Sequence, residues 1–304
     1  MNKLYYILPI LAGILFGTSG SFIRILAKAD FNTITIVAQR ASFAVVILAI
    51  VLFFYDRTLL RIRLKDLWLF AIAGVCGINI MNLCLTVAMQ ELTMSFAAVL
   101  LSIFPMFVFI LSAILFRERV TKLKVTCSIL AVLGCYMVSE MPGILSTLTF
   151  SGKGLFLGIL TPIFYSFYSI ASRVAVDRGY QALTITFYSI LFMALASAPF
   201  TDWTVIGEYA VSGTIAAHIA ILLGHALCVA VLPYMLFTIG IQHIDVGKAA
   251  ILSSSEPAAA MLFGALFFHE IPSIVAIGGL VVASIAIALI CMPETETPAI
   301  RRKT

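Results

Sequence analysis

The feature that most constrains this chain is a succession of ten long apolar runs, at 4–27, 33–54, 67–88, 93–116, 122–140, 154–176, 181–200, 214–240, 246–268 and 272–292. Each is close to the ~20 residues a helix needs to cross the hydrocarbon core of a bilayer. Between them lie only short polar segments, so neighbouring helices are expected to run antiparallel. Of the 304 residues, 62% are hydrophobic and 11% charged. A soluble domain carries about 25% charged residues to cover its surface, so this chain needs lipid as its solvent, and lipid accepts only segments whose backbone polar groups are paired internally. The expected class is an all-α membrane protein with ten transmembrane helices. The first run follows Lys3 and is too long for the apolar core of a signal peptide, so it reads as the first membrane helix.

Charge distribution predicts orientation through the excess of Lys and Arg in cytoplasmic loops. With the N-terminus inside, the inner segments hold Lys3; Arg57, Arg61, Arg63 and Lys65; Arg117, Arg119, Lys122 and Lys124; Arg173 and Arg178; and Arg301, Arg302 and Lys303. The outer segments hold little beyond Lys28 and Lys153, and the outer loop 201–213 carries only Asp202 and Glu208. Ten spans then place both termini in the cytoplasm, in a multi-pass protein of the inner or plasma membrane.

Residues 85–105 and 237–257 align without a gap at an offset of 152. Thr86, Gln90, Ala97, Ala98, Leu100, Ser102 and Pro105 match Thr238, Gln242, Ala249, Ala250, Leu252, Ser254 and Pro257, and the same offset carries Glu118 onto Glu270. The chain thus divides into an N-terminal repeat, 1–145, and a C-terminal repeat with a short basic tail, 146–304. Five helices per half is an odd number, so the two halves are expected to be inserted with opposite topology. Inverted repeats are the architecture of secondary transporters working by alternating access.

Polar residues at membrane depth are costly and usually face a bundle interior or a wet cavity. Helical spacing places Gly17, Ser21, Arg24 and Lys28 on one stripe; Asn79, Asn82 and Thr86 on another; then Tyr165, Tyr168 or Ser169, and Ser172; then Gln181, Thr184 and Tyr188; and His218 with His225. Lys248 and Ser255 share a face, with Glu256 about a quarter-turn round, and Gln39 and Arg40 sit several residues inside their span. Arg24, Lys28 and Lys248 lie near span ends, where the charge can snorkel to the interface. Tyr165, Tyr168 and Tyr188 read equally well as packing residues with one hydrogen bond, and His225 as a satisfied buried histidine or a substrate contact. Arg40, Asn79, Asn82 and Glu256 are too deep for snorkelling. The candidate cavity is therefore Arg40, Asn79, Asn82, Tyr165, Tyr168, Tyr188, His225, Lys248, Ser255 and Glu256, with Glu256 and His225 as candidates for proton coupling. Pro105, Pro162, Pro233 and Pro257 are expected helix kinks, since proline removes a backbone donor. This mixture of Arg, Lys, Glu, Asn and Tyr suits a zwitterionic or anionic organic solute better than a bulky hydrophobic cation.

Other classes fare worse. The basic clusters are too short and scattered for nucleic acid. Cys76, Cys84, Cys127, Cys135, Cys228 and Cys291 lie in or at the end of apolar runs without metal-ligand spacing, and His218, His225, His243 and His269 have none relative to carboxylates. No metal or cofactor is expected, and a membrane-embedded enzyme is a remote alternative.

The chain resembles the drug/metabolite transporter superfamily, in its EamA-type branch of ten-helix carriers. The residues that carry the resemblance are the Gly17–Thr18–Ser19 turn, Arg40 followed by Phe43, and the segment from Gln90 through Ala97–Ala98 to Pro105 and Arg117–Glu118–Arg119. The second copy runs from Lys248–Ala249–Ala250–Ile251–Leu252 through Glu256–Pro257 to His269–Glu270. The resemblance spans 5 to 292 and implies helices 1–4 and 6–9 around a cavity, with 5 and 10 at the periphery. It implies amino-acid or metabolite export as the commonest task, with Arg40, Asn82, Lys248 and Glu256 at polar positions of the family pattern. Multidrug efflux is the alternative, kept open by 23 Phe residues. The implied partners are a small-molecule substrate, lipid and protons, in a monomer or homodimer. His269–Glu270 departs from the family's Gly–Glu, which puts the tight helix end there in question.

Overall fold

A computed structural model describes residues 4–91, 97, 100–117, 120–138, 151–269 and 272–290. Among the described residues all regular structure is helical. The principal rods are α1 (Tyr5–Ala27), α2 (Thr33–Tyr55), α3 (Leu64–Ala88), α4 (Phe104–Phe116), α5 (Lys122–Val138), α6 (Gly152–Asp177), α7 (Ala182–Phe200), α8 (Ile215–His243), α9 (Val246–Phe267) and α10 (Ile274–Ile290). Seven of them, α1 to α3 and α6 to α9, are long and apolar enough to cross a membrane, while α4 and α10 are shorter apolar helices. Side-chain caps start several helices, each accepting one of the donors a first turn leaves free: Asn32 takes Thr35 N, Ser151 takes Gly154 N and Asp245 takes Lys248 N. The segment expected as a plain outer loop, 201–213, instead holds a short helix, Trp203–Val211, capped by Asp202. Trp203 stays half exposed there, as suits an interfacial anchor.

Helix pairing is unchanged when the halves are exchanged. α1 packs on α8 and α9, and α6 packs on α3 and α4; α2 pairs with α7, and α5 with α10. Contacts give the directions. Tyr5 stacks on His243, a Cβ on Gly240 would meet Pro9, and Phe16 packs on Tyr234, so α1 runs antiparallel to α8. Tyr168 bonds Thr238 and Arg173 bonds the Ile241 carbonyl, so α6 runs parallel to α8. The first helices of the two halves therefore point in opposite directions.

The backbone repeats its irregularities at the offset of 152. α3 carries a π segment at Ile72–Ile80 and α8 one at Leu227–Val231. Short π segments inside α-helices are rare and concentrate at functional sites. In α9 the helix tightens to a 3-10 turn at Ser253–Ser255 and restarts at Glu256, with Pro257 in the first turn; the chain breaks similarly before Phe104, with Pro105 in the first turn of α4. These two prolines thus start helical segments, where the missing N–H is no loss. Pro233 lies two residues beyond the α8 π segment, in the first turn of the α-helix that resumes there, and Pro162 lies within the uninterrupted α6. Both α4 and α9 end on a left-handed residue, Arg117 and His269, each at φ 55°. His269 thus adopts the backbone conformation that a glycine would hold freely. Glu118, Arg119, Glu270, Lys3, Ala98, Cys291, Arg301, Arg302, Lys303 and the Gln90 side chain lie outside the described residues.

Close approach depends on small residues, as in other membrane bundles. A Cβ on Gly77 would lie 2.5 Å from the Tyr168 backbone nitrogen, and one on Gly134 2.7 Å from the Ala283 nitrogen. Gly77→Ala is expected to push α3 from α6 and destabilise by about 1–3 kcal/mol, read as a lower Tm in detergent. Gly20→Ala, with nothing within 4 Å of the new Cβ, should leave Tm unchanged. His269→Gly relieves the left-handed cap and should stabilise by about 1 kcal/mol, raising Tm in the same assay.

Candidate functional site

Arg40 lies seven residues into α2, about 10 Å from the helix start, and is buried at 6% exposure. A guanidinium at that depth needs acceptors brought by neighbouring helices. Its Nη2 donates to Asn82 Oδ1 at 2.9 Å. Asn82 in turn donates its Nδ2 to the Ile78 carbonyl at 2.7 Å, and Thr86 Oγ1 donates to the Asn82 carbonyl. Ile78 belongs to the π segment of α3, so the irregular backbone orients the amide that receives the arginine. Asn79 is buried beside it, within the same segment.

Glu256 enters from the other half. It is partly buried, at the start of the helical segment that follows the Ser253–Ser255 turn. Its carboxyl, the Arg40 guanidinium and the hydroxyls of Tyr165 and Tyr234 act on one another electrostatically. Tyr165 is buried against Phe104, their rings 4.6 Å apart. Helices α2, α3, α6, α8 and α9 thus converge on one polar group, with charges of both signs supplied from opposite halves.

A second cluster borders it. Gln39, adjacent to Arg40, donates its Nε2 to the Leu222 carbonyl at 3.0 Å. Its Oε1 is therefore an acceptor, and His225 Nδ1, 3.0 Å away, carries the proton between them. His225 is fully buried, with Phe22 stacked on its ring at 5.3 Å. Its Nε2 is left without a hydrogen-bond partner, as is Arg40 Nε. An imidazole nitrogen and a guanidinium N–H are thus both buried without a hydrogen-bond partner.

The remaining sequence candidates divide differently. Tyr168 is a strut, since its hydroxyl meets Thr238 Oγ1 at 2.8 Å and Thr238 bonds the Tyr234 carbonyl, tying α6 to α8. Ser255 donates to the Ile10 carbonyl at 2.9 Å and joins α9 to α1. Tyr188 donates to the Leu60 carbonyl at the end of the bundle, away from Arg40. Lys248 stands in the first turn of α9, eight residues or about 12 Å before Glu256. Sequence reasoning missed Tyr234 and the role of Gln39. The repeat register carried the signal for Tyr234, because the offset of 152 places it opposite Asn82.

The pattern of the EamA-like transporter family matches residues 3–140 and again residues 152–292. An uncharacterized transporter of Archaeoglobus fulgidus is 26% identical over 288 residues, 92% of this chain and 94% of its own. Another transporter from that organism is 29% identical over 140 residues, 46% of this chain and 48% of its own. The uncharacterized transporter YetK of Bacillus subtilis is 25% identical over 233 residues, 76% of this chain and 70% of its own. A crystal structure with 14% sequence identity superposes at a TM-score of 0.74, covering 95% of this chain and 98% of that one, a likeness of fold. Matched once in each half, on either side of the polar cluster they enclose, the pattern shows that the chain belongs to the EamA-like transporter family.

Proposed function

We propose that the chain is a secondary transporter that moves a small zwitterionic or anionic metabolite, an amino acid or a relative of one, outward across the inner or plasma membrane by alternating access. The observation that carries this reading is the buried Arg40–Asn82 hydrogen bond, with Glu256 of the other half within electrostatic reach of the guanidinium. Arg40 and Asn82 offer donors to a carboxylate. Glu256 offers an acceptor to an ammonium group, and His225 Nε2 a second. Opposite insertion of 1–145 and 146–304 is supported by the antiparallel α1 and α6. Ten spans with both termini cytoplasmic rest on the charge asymmetry of the loops. The outward direction rests on the family resemblance.

The site also suggests how the cycle runs. A solute held by Arg40 on one half and Glu256 on the other draws the halves together. The π segments of α3 and α8 and the restarts of α4 and α9 are the places where rods already deviate from straight helices, and they are the bending points. In this reading Glu256 also takes up the coupling proton when the solute leaves, because it is the carboxyl within electrostatic reach of the buried arginine.

Thermal-shift screening of the purified protein against amino acids and their decarboxylated and deaminated analogues tests the substrate class. A ligand needing both charged groups is expected to raise Tm, and stabilisation by hydrophobic cations alone would overturn the assignment. With that ligand in liposomes, Arg40→Ala should cut transport by about 30-fold or more, equivalent to ~2 kcal/mol of lost pairing. Glu256→Gln should transport equally fast with and without an imposed pH gradient, while the unaltered protein accelerates. A pH response retained in Glu256→Gln and lost in His225→Gln would move the coupling proton to His225.

A further inference from the structure

At one end of the bundle, the segment joining α2 to α3 packs against the segment joining α6 to α7 and the first turns of α7. Three contacts stitch them: Thr184 Oγ1 donates to the Leu59 carbonyl, Tyr188 Oη to the Leu60 carbonyl, and the Arg63 backbone N–H to Tyr180 Oη. Between them lies a cavity of ≈ 400 Å³ whose lining includes Arg61, Arg63, Arg178, Tyr180 and Gln181. That volume falls within the ~300–1,000 Å³ typical of small-molecule sites.

The charges in this cavity are unequally matched. Arg178 is paired with Asp66, which also accepts from Tyr180 Oη at 2.7 Å, and its guanidinium sits 5.5 Å from the Trp68 ring centre. Arg61 and Arg63 are exposed, and among the described residues neither side chain forms a hydrogen bond or an ion pair. Both have extended backbone. Side chains two apart in an extended segment point the same way, while Ile62 between them packs against the buried Leu69–Phe70–Ala175–Ile185 cluster. Against the single carboxylate of Asp66 the three arginines leave an excess of two positive charges. A planar fork of donors is the group that recognises phosphate oxygens. Immediately after Arg63 the chain exposes Leu64 at 86%, Leu67 at 37% and Trp68 at 49%. Apolar residues and a tryptophan beside a basic cavity are what a membrane–water interface presents.

We propose that this cavity binds a phosphate-bearing anion, the headgroup of an acidic phospholipid, held by Arg61 and Arg63 with its acyl chains along Leu64, Leu67 and Trp68. Its occupant touches both halves of the protein and reinforces the stitched seam. The site is separate from the Arg40–Glu256 cluster and does not depend on what that cluster carries.

The test compares the full-length protein, the Arg61→Gln/Arg63→Gln double variant and a Lys28→Gln control reconstituted in phosphatidylcholine with increasing phosphatidylglycerol. Thermal unfolding is the readout. Phosphatidylglycerol is expected to raise the Tm of the unaltered protein and of the control. Each arginine removed should weaken half-saturation by about fivefold, so the double variant should need about 25-fold more anionic lipid. A parallel titration with glycerol phosphate in detergent distinguishes the sources: stabilisation there, lost in the double variant, assigns the site to a soluble phosphate ester instead of a lipid. Stabilisation by neither probe, or equal stabilisation of the double variant and the control, overturns the site.

Discussion

A guanidinium kept from water must be paired, and in a membrane interior nothing but the protein can pair it. Arg40 meets that requirement through Asn82, whose own amide is anchored on the Ile78 carbonyl. The chain of dependence continues outward, because Ile78 lies in a π segment and Gly77, one residue earlier, lets α6 approach until the Tyr168 backbone is in contact. Tyr168 then holds α8 through Thr238. One buried charge is thus connected, by short bonds and one missing side chain, to helices of both halves. Leaving a buried partner unsatisfied costs more than a typical hydrogen bond contributes, so the positions of α2, α3, α6 and α8 are tied to each other through this group.

The two halves share their backbone and differ in their chemistry. At the offset of 152, α3, α4 and α5 coincide with α8, α9 and α10, and the π segments, the proline restarts and the left-handed helix ends all recur. The side chains at the site do not. Asn82 stands opposite Tyr234, and Phe104 opposite Glu256. Symmetry therefore supplies matched interruptions of the helices, while its breaking supplies an arginine on one half and a carboxylate on the other. Identical halves would have put like charges face to face, which repel.

How much of this was legible follows from what a sequence exposes. The apolar runs, the register of the repeat and the depth of Arg40 and Glu256 are one-dimensional properties and could be read directly. Ser255 and Tyr188 stood among the cavity candidates but bond the carbonyls of Ile10 and Leu60. A polar side chain in an apolar helix looks the same whether it faces a neighbouring backbone or a crevice, and only the partner helix decides. The prolines posed a similar problem. Pro105 and Pro257 begin helical segments and Pro162 sits inside one, a difference set by hydrogen bonds several residues away. The π segments left no mark on composition, since Ile72–Ile80 is as apolar as any membrane helix. Pairings across 42 residues for Arg40 and 186 for His225 lie beyond any local pattern.

A carrier that held its solute equally well in both of its conformations would gain nothing from the solute in moving between them, because a ligand shifts an equilibrium only by its difference in affinity for the two states. A site divided between the halves provides that difference. With Arg40 and Asn82 on one half and Glu256 on the other, a zwitterion bound as proposed would lose its contacts at one end before the other when the halves part. The buried Gln39–His225 pair also bridges α2 to α8. Under the proposed function, the groups that would recognise the solute would also be the groups whose spacing changes as the halves tilt, so specificity and motion would share the same few side chains.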